Sequence, residues 1–304
     1  MFKHILFATD LTPASNALLH CIGPLRTLGA EKATLLHVLN IRDVGGLYIS
    51  MKQLIEPHIQ VQVEELRKAG LETRSDTALG RPAYEINRYA VERGVSVIVA
   101  GTHGESMLKE ILLGSVTRDL LQIAQKPVLL VPTYPFLGEE SASRCGAACR
   151  RLFEHVLFAT DFSDSARWAF QYLEHAAAEA HPEVTFFHVQ DLPRMEPYLK
   201  PMLGQFDRID TERLKLLEEG ILAKGARKTS HAIAHGRPDQ LLVQRANSGP
   251  FSLLILGTQG RSYLPEAFLG RVAHYVAHHV DIPILFIPLT APPAPSDTQE
   301  RSQG

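Results

Sequence analysis

The chain has 304 residues, 45% of them hydrophobic and 21% charged, a composition with enough apolar mass for two compact domains and not that of a disordered chain. Thirty-one Lys and Arg against 33 Asp and Glu leave a formal charge of -2, too small a field to recruit nucleic acid nonspecifically. The N-terminal MFKHILFATD breaks at Asp10 without the apolar core of a signal peptide, and no apolar run is long enough to cross a bilayer.

In chain order, KHILFA is a short buried strand, and residues 13 to 28 have helical spacing with Pro13 in the opening turn. ATLLHVL is a second strand, residues 50 to 69 a second helix, and a weak stretch from Thr73 to Leu79 a third strand. Residues 82 to 93 form a helix opened by Pro82, VSVIVA is a strand, residues 115 to 126 a helix, and PVLLVP a fifth strand. Strands that are apolar on both faces, alternating with helices, predict an α/β doubly wound sandwich around a parallel sheet. Residues 134–151 are poor in pattern and rich in small residues, and are expected to be a linker.

The pattern then repeats. His4 to Asp10 reads HILFATD and His155 to Asp161 reads HVLFATD, while Gly80-Arg81-Pro82 recurs as Gly236-Arg237-Pro238 and Gly101-Thr102 as Gly257-Thr258. His37-Val38 and His188-Val189 keep the earlier offset, so the extra residues of the second copy fall between His188 and Gly236. The expected domains are therefore 1–133 and 152–289, with a disordered tail over 290–304, where Pro, Ser and polar residues lack any apolar period.

In an open parallel sheet a ligand binds beyond the carboxyl ends of the strands, where successive crossovers diverge. Strand one ends in Thr9-Asp10 and strand four in Gly101-Thr102-His103-Gly104, so a carboxylate and a glycine loop should meet there. Gly114 and Ser115 open the next helix, whose unpaired N–H groups and partial positive charge suit a phosphate. Asp10 has two open roles, accepting from ribose hydroxyls or holding a divalent cation.

The pattern Gly101-x2-Gly104-x9-Gly114-Ser115, within AGTHGESMLKEILLGSVTRDLL, resembles the ATP-binding motif of the universal stress protein family. The resemblance covers both copies, Phe2 to Pro132 and Phe153 to Pro288. It implies a Rossmann-like fold with five parallel strands in the order 3-2-1-4-5 in each copy. It also implies pairing through the last strand, Val128 to Val131 and Ile284 to Ile287, between the two copies or in a homodimer. By matched position it puts Asp10 near ribose, Val38 against adenine, and Ala100, Gly101, His103, Gly104, Gly114, Ser115 and Val116 around the phosphates. The ligand implied is ATP, ADP or AMP, with or without Mg.

The second copy keeps Gly257-x2-Gly260-x9-Gly270, but Arg271 replaces the serine. A guanidinium there either obstructs the nucleotide or pairs with its phosphates, and obstruction is the preferred expectation. Asp161, Val189, Gly257, Gly260 and Gly270 are the candidate second set.

Blander readings stand beside these. Asp10 and Asp161 also suit helix caps, with Thr12 and Ser163 sharing that duty. His37 and His188 are expected to bond locally at strand ends, and His274, His278 and His279 to be surface residues instead of zinc ligands. Three cysteines, Cys21, Cys145 and Cys149, cannot all pair, which suits a reducing cytoplasm, and the two in the linker are read as idle thiols.

The leading expectation is a cytoplasmic stress-response sensor or interaction module that binds an adenine nucleotide in copy one and an unidentified protein partner, with no membrane or nucleic-acid role. No catalytic base is evident beside the motif. A slow ATPase or nucleotidyl-transferring enzyme, and a nucleotide-free dimerisation module, are the rivals.

Overall fold

The computed structural model describes residues 1–44, 47–102, 113–133, 139–195, 200–260 and 269–289. The expected tail at 290–304 lies outside them.

The first half runs β1 (His4–Thr9), α1 (Pro13–Ala17), α2 (Ile22–Thr27), β2 (Lys32–Asn40), α3 (Ile41–Val44), α4 (Tyr48–Lys68), β3 (Glu72–Gly80), α5 (Pro82–Glu92), β4 (Val97–Gly101), α6 (Ser115–Ile123) and β5 (Val128–Val131). A connecting helix α7 (Glu139–Arg150) follows. The second half runs β6 (His155–Ala159), α8 (Asp164–Ala180), β7 (Glu183–Asp191), α9 (Leu192–Met195), α10 (Leu203–Ala223), β8 (Lys228–Gly236), α11 (Pro238–Ser248), β9 (Leu253–Gly257), α12 (Arg271–His279) and β10 (Ile284–Ile287).

All ten strands form one sheet in the order β3-β2-β1-β4-β5-β10-β9-β6-β7-β8. Pairing is parallel within each half, for example His4↔Lys32 through Thr9↔His37. At the centre β5 and β10 pair antiparallel, Leu130 opposite Ile284 and Val128 opposite Phe286, so the two copies join edge to edge inside one chain. Each of these strands is buried along its whole length. Apolar groups therefore face both helical layers, and each layer packs as a core that crosses from one half into the other.

Three expectations need correction. The single helix over 13–28 is broken: a 3-10 turn at Leu18–Cys21 separates α1 from α2. Pro24 lacks an N–H and its ring crowds the carbonyl four residues back, so the ladder tightens there. The segment expected to be a plain linker contains α7, which packs on α1, α2 and the turn between them. Its cysteines are not idle: Cys149 is bonded to Cys21, and Cys145 is free and buried. The partners stand 128 residues apart in sequence, so spacing alone does not reveal them. The pairing also removes the cysteine-count argument for a reducing compartment.

The extra residues of the second half fall mainly before α10. The preceding strands β2 and β7 keep the early offset, while α4 and α10 begin at Tyr48 and Leu203. No helix among the described residues is long and apolar enough to cross a membrane.

Candidate functional site

At the carboxyl end of β1 the chain turns sharply through Asp10 and Leu11. Leu11 has φ +65° and its counterpart Phe162 has φ +60°, the left-handed region that L side chains rarely enter. The turn is held from both sides: Leu11 N donates to Thr9 Oγ1 at 3.0 Å, and Thr12 donates to Asp10 Oδ1 through its N–H at 3.1 Å and its hydroxyl at 2.6 Å. Thr12 and Ser163 are the N-caps of α1 and α8, accepting from Ser15 N and Ala166 N. Capping thus falls to the hydroxyls, and Asp10 orients the cap. The same turn recurs in the second half, where Phe162 N donates to Thr160 Oγ1 and Ser163 N to Asp161 Oδ1, both at 3.0 Å.

β4 lies beside β1, with Phe7 opposite Val99, so the carboxyl ends of the two strands emerge together. Ala100 is buried in β4, and Gly101 ends it. Gly114 N donates to Thr102 O at 2.7 Å and Thr117 Oγ1 to Gly101 O at 2.8 Å, which seats the start of α6 against the end of β4. Gly114 is the N-cap and supplies no side-chain cap bond, while Ser115 and Val116 are exposed. An uncapped helix start therefore stands beside the strand end, with Asp10 on the neighbouring strand. His103 and Gly104 fall outside the described residues. Val38 lies within β2, paired with Ala78, because β2 continues to Asn40.

The second half shows the glycine logic directly. Gly270 N donates to Thr258 O at 2.8 Å, the same closure as in the first half. A Cβ on Gly260 would sit 2.9 Å from Asp161 Oδ2, so the loop and the carboxylate do meet. A Cβ on Gly257 would sit 2.0 Å from Ser165 Oγ, so only glycine fits between β9 and α8.

Beyond these strands opens a cavity of about 870 Å³, which includes Asp161, Val189, Gly257, Gly260, Gly270 and Arg271 in its lining. Arg271, the residue expected to obstruct a nucleotide, stands in the cavity wall. Its guanidinium pairs with Asp239 at 3.4 Å and Asp191 at 3.9 Å. Asp239 is buried and also bonds Arg237 at 3.0 Å. Burial raises its pKa, but the Arg237 bond, the Gln240 N–H and the two guanidinium charges outweigh that and hold it below its ordinary value.

This paired chain matches the universal stress protein family over residues 1–132 and again over 152–288. It belongs to the universal stress protein family. A universal stress protein of Methanocaldococcus jannaschii is 32% identical over 154 residues, 43% of this chain and 95% of the relative. One from Bacillus subtilis is 44% identical over 147 residues, 43% of this chain and 99% of the relative. Over the whole length, a universal stress protein of Mycolicibacterium smegmatis is 22% identical across 298 residues, covering 93% of this chain and 96% of its own. The crystal structure of a universal stress protein from Archaeoglobus fulgidus aligns with 95% of this chain and 99% of its own at TM-score 0.75 and 22% identity, a likeness of fold.

In this tandem universal stress protein, His37 Nδ1 donates to Thr9 O at 2.9 Å and His188 Nδ1 to Thr160 O at 2.7 Å, tying neighbouring strand ends. His278 and His279 bond the carbonyls of His274 and Tyr275 through Nδ1, one helical turn back. Among the described residues no three His, Cys, Asp or Glu side chains cluster as a metal site.

Sequence reasoning missed the left-handed Leu11 and Phe162, since neither residue type advertises that conformation. It also missed a buried polar group in the second half, where His188 Nε2 lies 3.3 Å and Gln190 Nε2 3.1 Å from Asp210 Oδ2. Comparing the two copies position by position would have shown that group.

Proposed function

We propose that the first domain binds an adenine nucleotide, ATP or its di- or monophosphate, and that the chain acts as a nucleotide-responsive sensor or interaction module in a stress response. The observation that carries this reading is the meeting of three groups: the oriented Asp10 carboxylate, the glycine end of β4 and the uncapped start of α6. Free N–H groups in a first helical turn attract a phosphate, and the exposed Ser115 hydroxyl adds a donor. Asp10 Oδ1 is committed to Thr12, which leaves the second oxygen for a ribose hydroxyl. One carboxylate oxygen also fits magnesium held otherwise by phosphates and water.

Nothing in the reading requires turnover. Titration calorimetry of the full chain with ATP, together with mass analysis of nucleotide released from freshly purified protein, tests it. Saturable binding is expected, with Gly114→Val removing one equivalent because a branched Cβ blocks the approach of phosphate to the helix start. A wild-type chain that binds no adenine nucleotide would overturn the reading. Hydrolysis that collapses on Asp10→Ala would instead favour the enzyme reading.

A further inference from the structure

Helices α4 and α10 hold the same place in the two halves, each 21 residues long and packed on the outermost strands, β3 and β8. Matched position by position, they bury the same face, Ile59 with Leu214 and Leu66 with Ile221. Both also leave an apolar row in solvent at intervals of seven residues, Leu47, Leu54 and Val61 on α4 and Met202, Ile209 and Leu216 on α10. Seven residues are close to two helical turns, so each row runs as one stripe along its helix.

The borders of the two stripes differ. On α10 the stripe is edged by exposed Arg208, Glu212 and Lys215, as suits a solvated face. The matching residues of α4 are Gln53, Pro57 and Gln60, and Ser50, Met51 and His58 complete its border. Leu47, Leu54 and Val61 are 64, 67 and 65% exposed with no formal charge between them, the kind of patch that proteins cover.

Charge selects what covers it. A second copy of the same stripe has no charge to repel it. With the helices antiparallel and Leu54 against its own counterpart, Leu47 meets Val61 of the second copy. Glu64 and Glu65, ten and eleven residues beyond Leu54, then lie just before the start of the second copy's α4. That start has no side-chain cap and no acid in its first turn, so the carboxylates complement its partial positive charge. A parallel pair would instead set Glu64 beside Glu64 and align the two helix dipoles. The same two-fold applied to α10 would bring Arg208, next to Ile209, against its own copy. Two such stripes and their borders remove on the order of 1,000 Å² from water, the size of a weak, reversible association.

We propose that α4 is a dimerisation face, on which a second copy of this chain docks its own α4 antiparallel with Leu54 on the two-fold axis. The strand edge that could pair two copies is already filled within the chain by β5 against β10, so this is a separate surface. It rests on no bound nucleotide.

Sedimentation velocity of the full chain over a concentration series tests it. Wild type is expected to pass from monomer to dimer in the micromolar range, and Leu54→Lys to weaken the dimer about a hundredfold, the effect of losing a central apolar contact. Leu216→Lys is the control, because Leu216 is 68% exposed and holds the matching place on α10; it should leave the dimer unchanged. Both side chains stand mostly in water, so neither change disturbs the core. Leu54→Cys reads the register: on the axis it should form an intermolecular disulfide with oxidised glutathione as oxidant, whereas Leu47→Cys should not. A wild-type chain that stays monomeric at every concentration overturns the proposal. So does a dimer that Leu54→Lys leaves intact, or one that Leu216→Lys weakens equally. Failure of Leu54→Cys to cross-link, in a chain that dimerises, overturns the antiparallel seam.

Discussion

His4 and His155 occupy the same place in the two copies, at the start of the first strand of each, and each Nε2 lies 2.9 Å from a threonine hydroxyl, Thr34 and Thr185. Burial lowers the pKa of both below 6.5. As pH falls through 6.5 the unfolded chain takes up these protons while the folded chain resists, so stability present above 6.5 drains away on acidification toward the lowered folded values. A thermal melt series should therefore show the melting temperature declining below about pH 6.5, and a His4→Gln, His155→Gln double variant should flatten that slope. An unchanged slope would show that other groups govern it. At Asp239 the dependence falls under more acid conditions. Its lowered pKa adds stability above 3.8 that is lost as pH falls through the folded value, and Asp239→Asn should remove that acid-side loss.

At the scale of elements, α7 is fastened to the turn between α1 and α2 by the Cys21–Cys149 bond, across 128 residues of chain. Closing so long a loop restricts the unfolded chain, and reduction or Cys149→Ser should cost about 2–4 kcal/mol. Denaturant melts with and without reductant read that difference, and intact-mass measurement after alkylation counts the thiols; three alkylated cysteines in the unreduced protein would refute the pairing. Burial pushes the Cys145 thiol up to about 12, so it does not supply a thiolate to attack the bond at neutral pH. This helix was poorly legible because Ser, Ala and Gly over 139–150 give weak amphipathic signal; docking against another element overrides weak propensity. The inner strands, in contrast, were legible as short apolar runs bounded by turns, while the edge strands β3 and β8 carry polar residues and gave only a weak signal. The placement of Asp10 just after β1, of Gly101 at the end of β4 and of Gly114 at the start of α6 was legible through their spacing. The ion pairs of Arg271 were not legible because its partners Asp191 and Asp239 lie 80 and 32 residues away, beyond the reach of local pattern.

Taken as one body, the molecule depends on β5 and β10, through which both cores are continuous. Leu129 is 1% exposed and pairs with Leu285. A carboxylate at Leu129 would be buried without a partner, a change of the class that costs more than about 4 kcal/mol. Leu129→Asp is thus expected to part the two halves, raising the radius of gyration in small-angle scattering and speeding proteolysis within residues 134–151. A variant with the wild-type radius and cleavage rate would show that the strand pair is dispensable.

Because β5 and β10 run in opposite senses, the carboxyl ends of the strands in one half emerge at the opposite rim of the sheet from those in the other. The two mouths consequently look away from each other. A protein that docks over one rim leaves the other open to solvent, so the two candidate sites can be covered independently, like a gauge read from both ends.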